Sequence, residues 1–279
     1  MGIRLQGLNL GYIGLDREML MFPHPDYILH SQRQAGSKVW CECPVVSYVI
    51  DHPDGKILFE SGMSTSYHGE WLPEWEFMVD LTGITPDKCV EARLSSIGLG
   101  PEDFRYVIQG HLHSDHAGGM RVFQEGGSEI LVHEKEWNYV ETVTSPEYFF
   151  VPEDWQFLQG VKRPVLIDED QEIMKGVHLI SLPGHTPGTM AVLLELDHTG
   201  KVILCRDVMQ THENCGPPPV SSPLNMDQAA WFTSIEKMRK IAHENDAWVL
   251  PGHDDIGVQF HNGQTEFKDI DFESGTVYE

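Results

Sequence analysis

A fold that mixes strands with helices, α/β or α+β, is what the sequence predicts, on three observations. Short apolar runs bounded by Gly, Pro and Asp interleave with stretches of helical periodicity. Four of those runs stop on Gly-His or on Asp, as buried strands do when they deliver a side chain to a sheet edge. The chain has 279 residues, 41% hydrophobic and 22% charged, which is enough to bury a sizeable core. It contains no low-complexity run, flexible linker or short-period repeat, so residues 1–279 are read as a single domain.

The elements follow in order. Residues 45–50 (VVSYVI) and 56–59 (KILF) are two strands joined by Asp51-His52-Pro53-Asp54-Gly55. Pro fixes one turn dihedral and Gly supplies the unusual one, so the pair closes a hairpin. Cys41-Glu42-Cys43 is too tight and isolated for a metal clip and reads as strand. Residues 70–81 (EWLPEWEFMVDL) are aromatic-rich and read as a lid, a substrate loop, a homodimer contact or a loop folded on its own core. Residues 86–98 open on Thr85-Pro86 and close on Gly98, which predicts one helix. A second helix begins near Ala117, and a third runs from Asp227 through Ala242 with apolar spacing of three and four.

Charge narrows the partners. With 43 acidic against 19 basic side chains the formal charge is −24, which repels nucleic acid and anionic membranes and favours a neutral small molecule. No apolar stretch is long enough to span a bilayer, and the first residues lack the pattern of a signal peptide. Five scattered cysteines, an odd number, suggest a reducing cytoplasm without a disulfide framework.

The four runs that end in donors carry the chemistry. Residues 106–110 lead to His111, 178–184 to His185, 201–206 to Asp207 and 248–252 to His253. The first opens the stretch His111-Leu112-His113-Ser114-Asp115-His116. In extended chain, side chains two apart point the same way, so His111 and His113 can share one ion. Asp115 and His116 fall where the chain turns into helix and can reach a second. His185 would complete the first set and His253 the second, with Asp207 between them. Imidazole with carboxylate suits two divalent ions, zinc above all, with iron, manganese or cobalt using similar donors. A lone histidine is more often a hydrogen-bonded residue than a ligand; the joint pattern is what argues for a metal site.

These motifs resemble the metallo-β-lactamase superfamily, with HLHSDH at 111–116, LPGHTPG around His185, Asp207, and PGHDD at His253 in that family's order. The resemblance spans residues 45–257 and implies an αββα sandwich with the metals at one edge. It implies His111, His113 and His185 on one ion, Asp115, His116 and His253 on the other, and Asp207 shared. Within the superfamily the chain is most similar to the N-acyl homoserine lactonases, through HLHSDHAGG, residues 57–63, LPGHTPGTMAVLLEL and the segment from His212 into the Asp227 helix. Two positions depart from that branch. Gln210 stands where the lactonases have a tyrosine, and Glu60-Ser61-Gly62 stands for their Asp-Thr-Gly.

The function this implies is opening of a lactone ring, with a hydroxide held between two ions attacking the carbonyl. Asp115 would pass a proton to the leaving oxygen and Gln210 would donate to the carbonyl through its amide. Residues 19–22 (MLMF) or the loop from Trp71 to Met78 would hold an acyl chain. Alternatives on the same fold are another lactonase or esterase, a thioesterase of glyoxalase II type, a β-lactamase, or a diiron redox protein. The acidic chain offers few basic groups for glutathione carboxylates. His113 sits where the diiron branch carries glutamate, which favours hydrolysis.

Overall fold

A computed structural model describes residues 2–22, 39–159, 164–261, 264–272 and 276–279. The first half supplies β1 (Arg4–Asp16), β2 (Trp40–Asp51), β3 (Lys56–Phe59), β4 (Phe104–Ile108), β5 (Glu129–His133) and β6 (Val165–Ile167). The second supplies β7 (Gln171–Met174), β8 (Val177–Ser181), β9 (Met190–Leu196), β10 (Gly200–Arg206), β11 (Trp248–Pro251), β12 (Ile256–His261), β13 (Gln264–Asp269) and β14 (Val277–Tyr278). They form two sheets, in the orders β14-β1-β2-β3-β4-β5-β6 and β13-β12-β11-β10-β9-β8-β7. The helices are α1 (Arg17–Leu20), α2 (Pro73–Met78), α3 (Val90–Ser96), α4 (Ser114–Ala117), α5 (Glu134–Val140) and α6 (Gln228–Asn245).

Strand β2 shows why the molecule is layered. Its apolar run alternates between two cores: Val45 and Val49 join one buried cluster, Val46, Tyr48 and Ile50 another. Successive strand residues face opposite sides, so an unbroken apolar run must be covered on both. The second cluster lies between the sheets and includes Val192, Leu194 and Leu204 from the other one. Each such side chain contributes roughly 1.5–3 kcal/mol on burial. A third cluster joins the outer face of the second sheet to Trp231, Ile235, Met238 and Ala242 of α6, a helical stripe. Helix, sheet, sheet, helix is the αββα sandwich expected.

Strand direction then positions the site. β8 pairs antiparallel with β9, β9 antiparallel with β10, and β10 parallel with β11. So β8, β10 and β11 run the same way and end at one edge, where β4 of the first sheet also ends. The hairpin of β2 and β3 is antiparallel, with Ile50 opposite Ile57. No helix of the described residues is long and apolar enough to cross a membrane.

Two helix expectations need correcting. Residues 86–98 are not one helix: Pro86–Lys88 make a single 3₁₀ turn, Cys89 is extended (φ −63°, ψ 155°), and α3 starts at Val90. The break lets Val90 and Leu94 face the core together. The helix after the histidine loop begins at Ser114 rather than Ala117, with His113 as its N-cap residue, so Asp115 and His116 lie within it. In the aromatic stretch Trp71 and Trp75 are buried in the core while Phe77 is 92% exposed.

Candidate metal centre

His185 and His253 each leave a strand end through a glycine that the geometry requires. Gly184, before His185, has φ +138°, and a Cβ there would stand 2.3 Å from the Trp231 nitrogen. A Cβ on Gly252, before His253, would meet Asp207 Oδ1 at 2.5 Å. Backbone bonds lock neighbouring loops: His253 N donates to Gln210 O at 2.8 Å, and Gly252 N to Met209 O at 2.9 Å.

All seven predicted donors come together. His111, His113 and His185 form one set, and Asp115, His116 and His253 another, with the ligand atoms of each set within 4.8 Å of one another. His185 Nε2 lies 3.1 Å from His113 Nδ1. Asp207 stands between the sets: Oδ2 is 3.3 Å from both His185 Nε2 and His253 Nε2, and Oδ1 is 3.4 Å from His116 Nε2. Asp115 Oδ2 reaches His116 Nε2 at 3.3 Å and His253 Nε2 at 3.4 Å.

Whether a cation fits is tested by the orphaned atoms. Both ring nitrogens of His111, His113 Nε2, His116 Nε2 and Asp207 Oδ1 are buried without a hydrogen-bond partner. Unpaired buried polar atoms are costly, and so many converging on one point are explained by a divalent ion among them. The electrostatics agree. Burial, reinforced by neighbouring imidazoles, holds His111 and His113 well below the usual histidine range, and burial lowers His185. Their lone pairs are therefore free to ligate. His116 moves the other way: burial opposes its charge, but Asp115, Asp207 and Glu60 outweigh it and raise it to about 10. Without a metal, a proton on His116 answers those carboxylates; a metal ion would displace it.

Four further residues support the centre, and sequence reading did not single out three of them. Glu136 of α5 is fully buried; its Oε1 accepts from Leu112 N and its Oε2 from Gly188 N, both at 2.9 Å. It thus ties the His111–His113 loop to the loop of His185. Burial pushes its carboxyl up to about 7, against the pull of those donors. Asn225 Oδ1 lies 3.1 Å from His185 Nδ1, fixing that ring. Arg206, also fully buried, sits 3.0 Å from His116 Nδ1. Glu60, noted in the sequence only as a departure from Asp-Thr-Gly, is the fourth; its Oε2 is 3.2 Å from the same nitrogen.

The centre opens into a pocket whose polar lining is His113, Asp115, His185, Asp207, Gln210 and His253. Ile13, Leu15, Met19, Leu20, Trp71, Val79, Phe149 and Leu224 make the rest of its lining apolar. Gln210 is buried, and its Oε1 has no partner. Of the expected acyl-binding segments, Met19, Leu20 and Trp71 line the pocket; Ile13, Leu15, Val79, Phe149 and Leu224 come from elsewhere in the chain.

Comparison with known proteins agrees with the fold. Residues 42–253 match the metallo-beta-lactamase superfamily. The N-acyl homoserine lactonase of Bacillus cereus is 30% identical over 223 residues, 77% of this chain and 81% of that one. The N-acyl homoserine lactonase AiiB of Agrobacterium fabrum (strain C58 / ATCC 33970) is 27% identical over 267 residues, 91% and 94% of the two chains. A solved N-acyl homoserine lactone hydrolase, with the product N-hexanoyl-L-homoserine at its catalytic metal centre, superposes with a TM-score of 0.74. It is 23% identical, over 90% of this chain and 93% of that one. The chain belongs to the metallo-β-lactamase superfamily and, within it, to the family of the N-acyl homoserine lactonases.

Proposed function

We propose that this protein is a metal-dependent lactonase that opens the ring of N-acyl homoserine lactones at a centre of two divalent ions, zinc by preference. The observation that carries the reading is a cluster of orphaned imidazole and carboxylate atoms, of which those of His113 and Asp207 belong to residues lining a largely apolar pocket. His111, His113 and His185 would hold one ion, Asp115, His116 and His253 the other, and Asp207 both; nitrogen and oxygen donors in this mix suit zinc. Bound ions supply a nucleophilic water at neutral pH and polarise the lactone carbonyl.

The chain's own groups do the rest. Asp115 lies beside His116 and His253 and lines the pocket, so it can hold a proton and hand it to the ring oxygen as that oxygen leaves. Gln210 lines the same pocket, where its amide can donate to the lactone carbonyl and its unpaired Oε1 can accept from the substrate amide. The apolar wall of Leu15, Leu20, Trp71 and Phe149 accepts an acyl chain and excludes water. We place the protein in the cytoplasm, since the five cysteines are all free.

The test is hydrolysis of short- and long-chain acyl homoserine lactones by metal-analysed protein, beside a thioester and a β-lactam. Chelation should abolish lactone opening and added zinc should restore it. Opening that survives metal removal would reject the centre, and turnover of the thioester or β-lactam alone would reject the substrate.

A further inference from the structure

Ser114 lies between two of the donors, His113 and Asp115, and is buried, yet it belongs neither to the donor sets nor to the pocket lining. It opens α4, the short helix that carries Asp115 and His116. Its side chain and its main chain both bind groups outside the donor sets. Ser114 Oγ accepts from Trp71 Nε1 at 2.9 Å, and Ser114 N donates to Phe149 O at 3.0 Å. Trp71 and Phe149 are the large aromatic residues of the pocket's apolar lining. Both are thus fastened to the residue beside Asp115.

The fastening is stiff. Glu147 and Phe150 exchange backbone hydrogen bonds of 3.1 and 2.8 Å around Tyr148 and Phe149, whose φ angles are +47° and +64°. A two-residue turn of this hand favours Asn and Gly, so side chains with a Cβ hold it under strain. The Phe149 ring lies 5.8 Å from that of Trp71 and 4.9 Å from that of Trp75. Trp71 and Trp75 meet edge to face at 5.6 Å. Three rings in mutual contact leave Trp71 little room to turn, and turning would strip its buried N–H of an acceptor, which is costly. A displacement of Trp71 is therefore passed on to Ser114.

We propose that Ser114 is a positioning residue that couples Trp71, in the acyl wall, to Asp115. An acyl chain seated against Trp71 steadies the start of α4 and with it the carboxylate that hands over the proton. Part of the binding energy of the chain is then spent on turnover and not on affinity alone. The coupling runs both ways: an ion held by Asp115 and His116 steadies Trp71 through the same hydrogen bond.

The inference deepens the lactone reading and rests on it, and one measurement is independent of it. Zinc-loaded wild type, Ser114→Ala and Trp71→Phe are assayed with N-acetyl- and N-hexanoyl-homoserine lactone, which differ only in chain length. Wild-type kcat should be about tenfold higher for the longer chain. S114A and W71F remove the same hydrogen bond from opposite ends, so in each the advantage should shrink to about twofold, and the double variant should lose no more than W71F. Separately, solvent exchange of the Trp71 indole N–H, the resonance missing from W71F, is followed in metal-free protein before and after zinc. Zinc should slow it about tenfold in wild type and leave it unmoved in S114A. A wild-type advantage confined to KM, equal kcat losses on both substrates in S114A, or wild-type exchange indifferent to zinc each overturns the inference while the lactone reading stands. A wild type that opens neither lactone overturns that reading, and the exchange measurement then decides the coupling. Should S114A not fold, W71F and the wild-type exchange decide: an intact kcat advantage in W71F overturns the coupling, and its loss together with zinc-slowed exchange supports it.

Discussion

The two sides of Asp207 hold the same number of donors and differ in almost every other respect. His111, His113 and His185 are all imidazoles, all buried, and all held in the neutral form by burial. Asp115, His116 and His253 include a carboxylate whose side chain is 15% exposed, and a histidine drawn up to about 10 by three acids. The supports differ too. Side chains steady the first side: Glu136 ties its two loops together, and Asn225 holds His185. The second side leans on the buried Glu60–Arg206 pair and on the Pro44 carbonyl, 3.2 Å from His253 Nδ1. In the centre we propose, one side offers an ion neutral lone pairs, and the other brings a carboxylate that lines the pocket.

The largest effect should come from the atom pair both sides share. In Asp207→Asn the charge that faces His116, His185 and His253 is gone while the shape is kept. We expect lactone opening to fall on the order of 10³-fold, with fewer than two ions retained per chain. Elemental analysis beside turnover checks this. Loss of one ion with the other side's affinity untouched would show that Asp207 serves one side only. A smaller and one-sided loss is expected from Glu136→Gln, because an amide cannot accept from both Leu112 N and Gly188 N. Calorimetric titration of metal-free protein with zinc should show one step weakened by about 100-fold and the other unmoved. Equal displacement of both steps would end the comparison.

Much of this is legible in the sequence alone, and the reason is periodicity. Runs such as 201–206 are apolar enough to require burial on both faces, so their strands and end points could be read directly. The spacing of His111, His113, Asp115 and His116 carried the centre for the same reason, since local geometry fixes which neighbours share a face. Glu136 was not legible. It lies in EKEWNYV, where it looks like one more solvated acid on a helix, and only the fold brings Leu112 and Gly188 to it. Arg206 precedes a predicted ligand and so reads as a strand end; its role depends on Glu60, nearly 150 positions away in sequence. The helix break at Cys89 was hidden because Thr85-Pro86 is a sound start signal that nucleates only one turn.

The smallest effects should separate the two histidines that face each other across Asp207. His185 is oriented by the Asn225 side chain, which also donates to Ser221 Oγ at 3.0 Å. Asn225→Ala removes the acceptor, frees the imidazole to turn, and should weaken zinc on that side by about 10-fold. His253 is oriented by the main chain, which a substitution at Pro44 leaves in place. Pro44 pairs with Tyr12 just past the irregular register of β1 and β2, while β3 pairs with β2 only from Tyr48 onward. An alanine there keeps the carbonyl and interrupts no bond to β3. Pro44→Ala should therefore leave both zinc steps within about twofold of wild type, well under the 1.4 kcal/mol that a tenfold change represents. If Pro44→Ala weakened zinc as much as Asn225→Ala, His253 would depend on the proline ring itself, and the contrast between side-chain and main-chain support would not hold.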